Sequence, residues 1–224
     1  MGQLDGKVAI ITGGGSGIGK GIAALFAAEG CSVVITGRTA ARLAKTAAEI
    51  SQAGGQVLAV PGNVADEKDV AHVFRQAIDK FGKLDILVNA AGNFDGGPIE
   101  NLSVQAWQNV LDANLTGPFL CSREAFRIMK PAGCGRILNI GSISAQVSRE
   151  NSAPYTATKF GVEGLTRACS LDGRAHNIVV SCLHPGNVLV ERRAGAAGAE
   201  PMMATETIAK VALFMVTLPP DVNM

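Results

Sequence analysis

Short apolar runs alternate along this chain with longer amphipathic stretches. The first run, KVAIIT at residues 7–12, is rich in β-branched side chains, which is typical of a strand buried on both faces. A glycine-rich turn and an Ala-rich amphipathic segment that ends at Gly30 follow it. The alternation predicts strands at residues 7–12, 32–37, 56–61, 84–89, 136–142 and 177–185, and helices at residues 20–30, 40–53, 66–81, 103–129, 154–173 and 205–218.

Strands that are separated by helices pair in parallel through right-handed crossovers, and the helices cover both faces of the sheet. We therefore predict an α/β fold with a doubly wound, three-layer parallel sheet, the Rossmann fold. Residues 1–224 contain no internal repeat, low-complexity tract or linker, so we expect one domain. Ligands of such sheets bind at the carboxyl ends of the strands. The residues expected at those ends are Gly13, Gly37, Asn63, Asn89, Ser142 and Pro185.

The composition argues against several classes of partner. The 224 residues carry a net charge of +1, which gives no electrostatic reason to expect nucleic acid or an anionic membrane surface as a partner. The chain has no apolar run of membrane-spanning length and no targeting leader, so we expect a soluble cytoplasmic protein. The five cysteines are never spaced C-x-x-C, which favours reduced thiols over a disulfide framework or a metal site.

The turn after the first predicted strand, GGGSGIG at residues 13–19, lies where a dinucleotide would bind. Gly13 allows a sharp turn with positive φ, Gly17 leaves room for a pyrophosphate, and Gly19 lets the helix lie close to the strand. The unpaired N–H groups at the helix N-terminus would bind the phosphates. A glycine motif alone is a weak signal, but a strand before it and a helix after it favour nucleotide binding over a merely tight turn.

The end of the second predicted strand bears on the choice of cofactor. An acidic residue at this point would hydrogen-bond the adenosine ribose and select NAD. This chain has Gly37 there, and the guanidinium of the next residue, Arg38, matches the oxygens of a 2′-phosphate. We therefore expect NADP as the cofactor, with NAD the weaker candidate. In the alternative interpretation, Arg38 is a solvated loop residue and Arg42 is a charge on a helix surface.

A hydroxyl ends the fifth predicted strand at Ser142, and a phenol and an ammonium follow it at Tyr155 and Lys159. Tyr155 and Lys159 stand four residues apart, so they share one face of a helix. A free phenol has a pKa of about 10, and a nearby ammonium favours the phenolate, as proton transfer near neutral pH requires. The pattern therefore predicts a proton-transfer site. The alternative is a phenol packed under the aliphatic stem of a lysine.

Six motifs in order resemble the short-chain dehydrogenase/reductase family, and the resemblance covers nearly the whole chain. The motifs are TGGGSGIG at residues 12–19, NAAG at residues 89–92, Asn114, Ser142, YTATK at residues 155–159, and the Pro185-Gly186 pair. The resemblance implies an enzyme that interconverts a small-molecule carbonyl and an alcohol by exchanging a hydride with a nicotinamide cofactor.

The resemblance also implies a role for each residue of the site. Tyr155 would protonate the carbonyl during reduction and act as the base in the reverse direction, while Ser142 would hydrogen-bond the substrate oxygen. Lys159 would hold the nicotinamide ribose and favour the phenolate, and Asn114 would anchor a water that extends the proton relay to solvent. The residues expected to bind the cofactor are Gly13, Ser16, Gly17, Ile18, Gly19, Arg38, Asn63, Val64, Asn89, Ala90, Gly92, Tyr155, Lys159, Pro185, Gly186 and Val188.

Three departures from the family pattern change these expectations. Asn63-Val64 replaces the common Asp-Val pair beside the adenine, which keeps an acceptor oxygen and loses a charge. Val190 stands where a Thr often binds the nicotinamide carboxamide, so that contact would come from backbone atoms or be lost. We also expect the usual final strand of the family to be missing after the last predicted helix.

Two further expectations concern the surroundings of the site. The Ala- and Gly-rich segment 187–204 would form a substrate lid. The long helices at residues 103–129 and 154–173 would build a homodimer or a homotetramer. The expected function is thus NADP-dependent carbonyl–alcohol interconversion without a metal. A catalytically inactive dinucleotide-binding scaffold or regulator is one alternative, and a reductase of activated C=C bonds is the other.

Overall fold

A six-stranded sheet forms the centre of the computed structural model, and every neighbouring pair of its strands is parallel. The structure describes residues 2–190, 201–219 and 222. The strands are β1 (Val8–Thr12), β2 (Ser32–Gly37), β3 (Val57–Pro61), β4 (Ile86–Asn89), β5 (Gly135–Ile140) and β6 (Ile178–Leu183). Their order across the sheet is β3-β2-β1-β4-β5-β6. The chain adds β2 and β3 on one side of β1 and then β4, β5 and β6 on its other side, so the strand order switches between β1 and β4. Crevices at such switch points are where doubly wound sheets bind ligands.

Helices connect the strands, as the sequence predicts. They are α1 (Gly17–Ala28), α2 (Ala40–Gln52), α3 (Glu67–Phe81), α4 (Val104–Leu111), α5 (Gly117–Ala132), α6 (Ala153–Gly173) and α7 (Thr205–Thr217). The predicted doubly wound Rossmann fold is confirmed. Within the described part of the chain, no helix combines the length and the apolar character needed to span a membrane.

The helix predicted over residues 103–129 is the main correction. A π-helical turn at Asp112–Thr116 divides it into α4 and α5. Pro118 explains the division, because it has no N–H to give the Asn114 carbonyl in the α-helical pattern. The Gly117 N–H instead bonds the Asp112 carbonyl, one residue further back than in an α-helix. The prediction overlooked this proline.

The sheet separates two apolar clusters, because alternate residues of a strand point to opposite faces. Ile11 and Ile35 pack on one side with the fully buried Phe26 of α1. Ile10 and Val34 pack on the other side with residues of α3 and α5. Burial of both faces explains why the strands are continuous apolar runs instead of alternating ones.

The carboxyl edge of the sheet carries polar residues in register. Thr12 lies opposite Asn89, and Asn89 lies opposite Asn139 on β5. The Asn89 side-chain amide donates to the Asn139 carboxamide oxygen at 2.9 Å, and Asn139 donates to the Thr166 hydroxyl of α6 at 2.8 Å. These buried bonds join β4, β5 and α6 directly beneath the edge where the predicted site residues lie.

Candidate active site

The turn from β1 into α1 is the tight glycine turn that the sequence predicts. A Cβ at Gly13, whose φ is +69°, would lie 2.9 Å from the Ala91 backbone, and a Cβ at Gly19 would lie 2.5 Å from the Gly13 carbonyl oxygen. Both positions therefore require glycine. The Thr12 hydroxyl accepts hydrogen bonds from the Ala90 and Ala91 amides, each at 3.0 Å, and so ties the NAAG segment to the glycine turn.

The N-terminus of α1 opens at the carboxyl edge of the sheet. Ser16 is its N-cap residue, and the Lys20 amide makes a helical hydrogen bond to the Ser16 carbonyl at 3.1 Å. The Ile18 and Gly19 amides come before that bond, where a helix offers its own N–H groups no acceptor. Amides in this position can bind phosphate oxygens, and the helix dipole favours the negative charge.

A cleft of about 350 Å³ lies beside this helix N-terminus. Arg42, Asn109 and Asp112 line it although the sequence prediction did not include them. The cleft runs past the ends of several strands, as a binding groove for an extended dinucleotide would. The predicted cofactor residues that line it are Gly13, Ser16, Arg38, Asn63, Val64 and Gly92.

Asn63 and Val64 are fixed in place by local contacts. The Asn63 side-chain oxygen accepts from the Ala65 amide at 3.2 Å, and the Asn63 amide donates to the Asp69 carboxylate at 2.9 Å. A Cβ at Gly117 would lie 2.6 Å from the Val64 side chain, so the start of α5 packs closely against Val64. The Asn63 side chain thus closes a turn, and the turn presents both residues to the cleft.

Lys159 is the most buried charged group of the site, with 6% of its surface exposed. Its ammonium nitrogen donates to the Ile140 carbonyl at the end of β5 at 2.8 Å and lies 5.4 Å from the centre of the Tyr155 ring. The half-buried Tyr155 ring meets the Phe94 ring edge-on, with 5.3 Å between the ring centres. Helix α6 therefore brings the phenol and the ammonium together as the four-residue spacing predicts.

Ser142 lies just beyond β5, where it caps a 3₁₀ turn at Ile143–Ala145. Its hydroxyl oxygen accepts from the Ser144 amide at 3.1 Å, and the side chain is buried. The turn packs against α6, which carries Tyr155. The structure thus places Ser142, Tyr155 and Lys159 around the same end of β5.

Two of the three predicted asparagines, Asn89 and Asn114, are almost fully buried. The Asn114 carboxamide accepts from the Asn93 amide at 2.7 Å and donates to the Asn93 carbonyl at 2.9 Å, so it clamps the segment after β4. It lies at the centre of the π-helical turn, where the regular helical bonding of backbone carbonyls is interrupted. Asn89 is 3% exposed and points into the protein interior. Both side-chain amide groups therefore already donate to protein acceptors.

The segment after β6 closes the other side of the site. Pro185 accepts from the Ile143 amide at 3.1 Å, which holds the Pro185-Gly186 pair beside the turn that follows Ser142. Val188 is buried and forms a parallel bridge with Met203. Residues 191–200 of the predicted lid lie outside the described residues.

Among the described residues, one group of side chains has the spacing that a metal would need. Its members are Glu163, Cys182 and His184. Both nitrogens of the His184 ring already lie within hydrogen-bonding distance of protein groups. Burial and the nearby Glu163 carboxylate raise the pKa of the Cys182 thiol to about 11, which opposes formation of the thiolate that a metal would bind.

Comparisons with known proteins identify relatives of this chain. A family described as short chain dehydrogenase matches residues 7–200. The chain is 34% identical over 204 residues to the 3-oxoacyl-(acyl-carrier-protein) reductase of Synechocystis sp., with 91% of this chain and 82% of that protein covered. It is 40% identical over 181 residues to the cis-4-hydroxycyclohexanecarboxylate dehydrogenase of Sinomonas cyclohexanicum, with 80% and 72% covered. A solved dehydrogenase/reductase from Sinorhizobium meliloti superposes with a TM-score of 0.87 at 31% identity, with 95% of this chain and 88% of that chain covered.

Proposed function

Because the chain belongs to the short-chain dehydrogenase family of NAD(P)-dependent oxidoreductases, we propose that it uses NADP to interconvert a carbonyl and an alcohol at Ser142, Tyr155 and Lys159. The observation that carries the proposal is the buried Lys159 ammonium, 5.4 Å from the Tyr155 ring and bonded to the end of β5. Burial of a charge is costly, so a lysine in this position needs a specific reason. Stabilisation of negative charge on a neighbouring phenol is such a reason.

Residues of the chain would transfer the proton, and the cofactor would transfer the hydride. When bound, the nicotinamide supplies a hydride to the carbonyl carbon or takes one from the alcohol carbon. During reduction the Tyr155 hydroxyl gives its proton to the substrate oxygen, and during oxidation the phenolate takes it back. The Ser142 hydroxyl donates a hydrogen bond to the same oxygen, where negative charge develops. The nearby Lys159 ammonium offsets the charge left on the phenolate.

The glycine turn and the cleft fit a dinucleotide. The backbone is so close at positions 13 and 19 that no side chain fits there. The amides at the start of α1 suit a pyrophosphate. Arg38 and Arg42 both line the cleft and both are exposed, and β2 ends in Gly37 without a carboxylate. A 2′-phosphate would meet two guanidinium groups there, which supports NADP over NAD.

Cofactor choice is tested by titrating NADPH and NADH into the wild type and into Arg38→Ala, with fluorescence of the bound cofactor as the signal. We expect NADPH to bind at least tenfold more tightly than NADH, which is about 1.4 kcal/mol, and the preference to fall in the variant. Arg75→Ala removes another exposed arginine, on α3, that does not line the cleft, and it should leave the preference unchanged. Equal affinities in the wild type would refute the NADP assignment.

The substrate class follows from the relatives and from the surroundings of Tyr155. One relative is named for a 3-oxoacyl group and the other for a ring hydroxyl, so each name denotes a ketone or a secondary alcohol. The Phe94 ring, about half exposed, stands beside the Tyr155 ring and would give a substrate an apolar contact. We therefore propose a small molecule that carries a ketone or a secondary alcohol.

Turnover of a panel of ketones and secondary alcohols tests the reaction itself. Tyr155→Phe removes the hydroxyl and keeps the ring, so kcat should fall by roughly 100-fold or more while NADPH binding is retained. Ser142→Ala should also lower kcat. Tight cofactor binding without turnover in the wild type would instead favour an inactive dinucleotide-binding scaffold. Turnover confined to activated C=C bonds would favour an enoyl-type reductase.

The outer faces of α5 and α6 support self-association. Phe119 on α5 and Phe160 on α6 are 47% and 50% exposed, although large apolar side chains of monomeric proteins are mostly buried. We propose that these faces form the interface of a homodimer or a homotetramer. Phe160→Glu should shift the sedimentation coefficient toward that of a monomer. A wild-type protein that sediments as a monomer at micromolar concentration would contradict this proposal.

A further inference from the structure

Two side chains outside the proposed mechanism, Glu163 and His184, connect helix α6 to the backbone of Ser142. The Nε2 atom of His184 lies 2.9 Å from the Oε2 atom of Glu163. Its Nδ1 atom lies 2.9 Å from the Ser142 carbonyl oxygen and 3.3 Å from the Ser142 amide nitrogen. The other Glu163 oxygen accepts from the Arg167 guanidinium at 2.7 Å. One continuous chain of hydrogen bonds therefore runs from the surface of α6 to the catalytic serine.

The backbone around Ser142 is shaped to receive the imidazole. A Cβ at Gly141 would lie 2.6 Å from His184 Nδ1, so only glycine lets the ring approach this closely. The Gly141 amide donates to the Leu183 carbonyl at 2.7 Å, and the Ile143 amide donates to the Pro185 carbonyl at 3.1 Å. The peptide groups on both sides of Ser142 are thus bonded to the two neighbours of His184. The imidazole supplies the remaining contact, at Ser142 itself.

Helix α6 presents Glu163 on the same row as the reacting groups. Tyr155, Lys159, Glu163 and Arg167 follow one another at four-residue spacing, which makes them neighbours along one ridge of the helix. Tyr155 and Lys159 stand at the β5 end of this ridge, and Glu163 stands one turn further along. The link from Glu163 through His184 to the backbone of Ser142 therefore fixes where the ridge lies relative to the serine.

The Glu163 carboxylate, the His184 imidazole and the Arg167 guanidinium can form a hydrogen-bonded link. Burial raises the pKa of the Glu163 carboxyl, but hydrogen bonds from Arg167 and His184 outweigh it, so the pKa lies below its usual range and the carboxylate remains an acceptor. The side chains of His184 and Glu163 are 21% and 26% exposed, which limits competition from water. With a proton on Nε2 alone, the ring donates to Glu163 and Nδ1 accepts from the Ser142 amide at 3.3 Å. With a proton on both nitrogens, Nδ1 donates to the Ser142 carbonyl at 2.9 Å instead, and the bond to Glu163 is the same in both forms.

We propose that Glu163 and His184 are a positioning pair that holds the backbone of Ser142 in register with the Tyr155–Lys159 ridge of α6. The inference rests on the proposed function, because Ser142 and Tyr155 must reach the same substrate oxygen. The pair does not contact that oxygen and does not exchange a proton with it. The pair instead sets the distance between Ser142 and Tyr155, the two residues that contact the substrate oxygen.

The test compares Glu163→Ala, His184→Ala, Glu163→Gln and Arg167→Ala. A catalytic group displaced by about 1 Å can cost as much as 100-fold in rate, so we expect kcat to fall roughly 10-fold in each alanine variant of the pair. The dissociation constant for NADPH should stay unchanged, since neither side chain lines the cleft proposed for the dinucleotide. Glu163→Gln keeps an acceptor oxygen for His184 and should retain most of kcat.

Arg167→Ala is the matched control, because it removes the exposed neighbour of Glu163 on α6 and leaves the bond to His184 intact. It should keep the wild-type kcat. The double variant with alanine at Glu163 and His184 should be no slower than His184→Ala alone. The losses in kcat are not additive, because both residues belong to one link. A lowered Tm with unchanged kcat in Glu163→Ala would overturn the proposal, and so would multiplicative losses in the double variant.

A second measurement does not depend on turnover. The ¹H–¹⁵N resonance of the Ser142 amide should move in Glu163→Ala and His184→Ala and stay in place in Arg167→Ala. If the wild type reduces no compound of the panel, the proposed function fails while this resonance still reports on the pair. If the resonance stays in place in both pair variants, the positioning pair is refuted even where the wild type is active.

Discussion

The glycine at position 19 sets the separation between α1 and the turn that precedes it, and its replacement by alanine makes a sharp test. An added Cβ would lie 2.5 Å from the Gly13 carbonyl oxygen, 2.8 Å from the Gly13 carbonyl carbon and 3.1 Å from the Thr12 carbonyl oxygen. All three atoms belong to the backbone, so no flexible side chain can move aside. Restoring an ordinary contact of 3.4 Å requires the helix to retreat by about 0.9 Å, which is 3.4 minus 2.5.

The cost of that retreat can be set against the gain that alanine brings in a helix. Alanine is favoured over glycine in a helix by about 1 kcal/mol, whereas overpacking typically costs about 1–3 kcal/mol. Gly164 of α6 separates the two effects, because it is exposed and a Cβ there has no atom of the same chain within 4 Å. Since Gly164 lies one turn from Phe160 on the face proposed for self-association, both variants are made in the Phe160→Glu background. Gly164→Ala should therefore stabilise the protein by about 0.5–1 kcal/mol. Gly19→Ala should give no such gain and should be destabilising overall.

Thermal unfolding and cofactor titration provide the assay. In a chain of 224 residues each 1 kcal/mol of stability shifts Tm by about 2–4 °C, so the two variants should move Tm in opposite directions. Gly19→Ala should also weaken dinucleotide binding, because the amides of α1 withdraw from the cleft, while Gly164→Ala should leave it unchanged. Wild-type stability and wild-type cofactor affinity in Gly19→Ala would refute the steric argument.

Three other predictions concern stability and reactivity. Asp66 caps α3 by accepting from two backbone amides of the first turn, so Asp66→Ala should cost about 1 kcal/mol in urea unfolding and Asp66→Asn much less. The pKa of Glu163 in the folded protein lies below its ordinary value of 4.5, so its contribution to stability is present at neutral pH and is lost as the pH falls below that value; Glu163→Gln should weaken the dependence of unfolding free energy on pH there. Burial raises the pKa of the Cys121 thiol to about 12, whereas Cys134 is exposed, so iodoacetamide at pH 8 should label Cys134 first in peptide mass spectra.

The elements that the sequence pattern predicted well are those whose cause is local. The helix predicted over residues 66–81 lies at Glu67–Phe81, between the Asp66 cap and the left-handed Gly82, and the predicted apolar runs form the strands. Each of these features needs only its nearest neighbours along the chain. The helix predicted over residues 103–129 was divided for an equally local reason, the missing N–H of Pro118. That signal was present in the sequence and was overlooked.

The features of the candidate site also divide into those with a local cause and those that depend on distant residues. The four-residue spacing of Tyr155 and Lys159 is enough by itself to place both side chains on one face of a helix. The enclosure of the Asn114 carboxamide by the Asn93 backbone could not be foreseen, because 21 residues separate the two along the chain. The inward orientation of Asn89 likewise depends on partners contributed by β5 and α5.

The sequence by itself determined the order of strands and helices along the chain and the glycine turn at the start of α1. It also determined which residues carry reactive groups. Periodicity, backbone freedom and side-chain chemistry are properties of short segments, so they can be read without the fold. Tertiary structure alone decided that His184, which follows β6, reaches the backbone of Ser142 and the carboxylate of Glu163. Parallel strands bring distant segments to one edge of the sheet, and the distances that govern catalysis are set only when those segments pack.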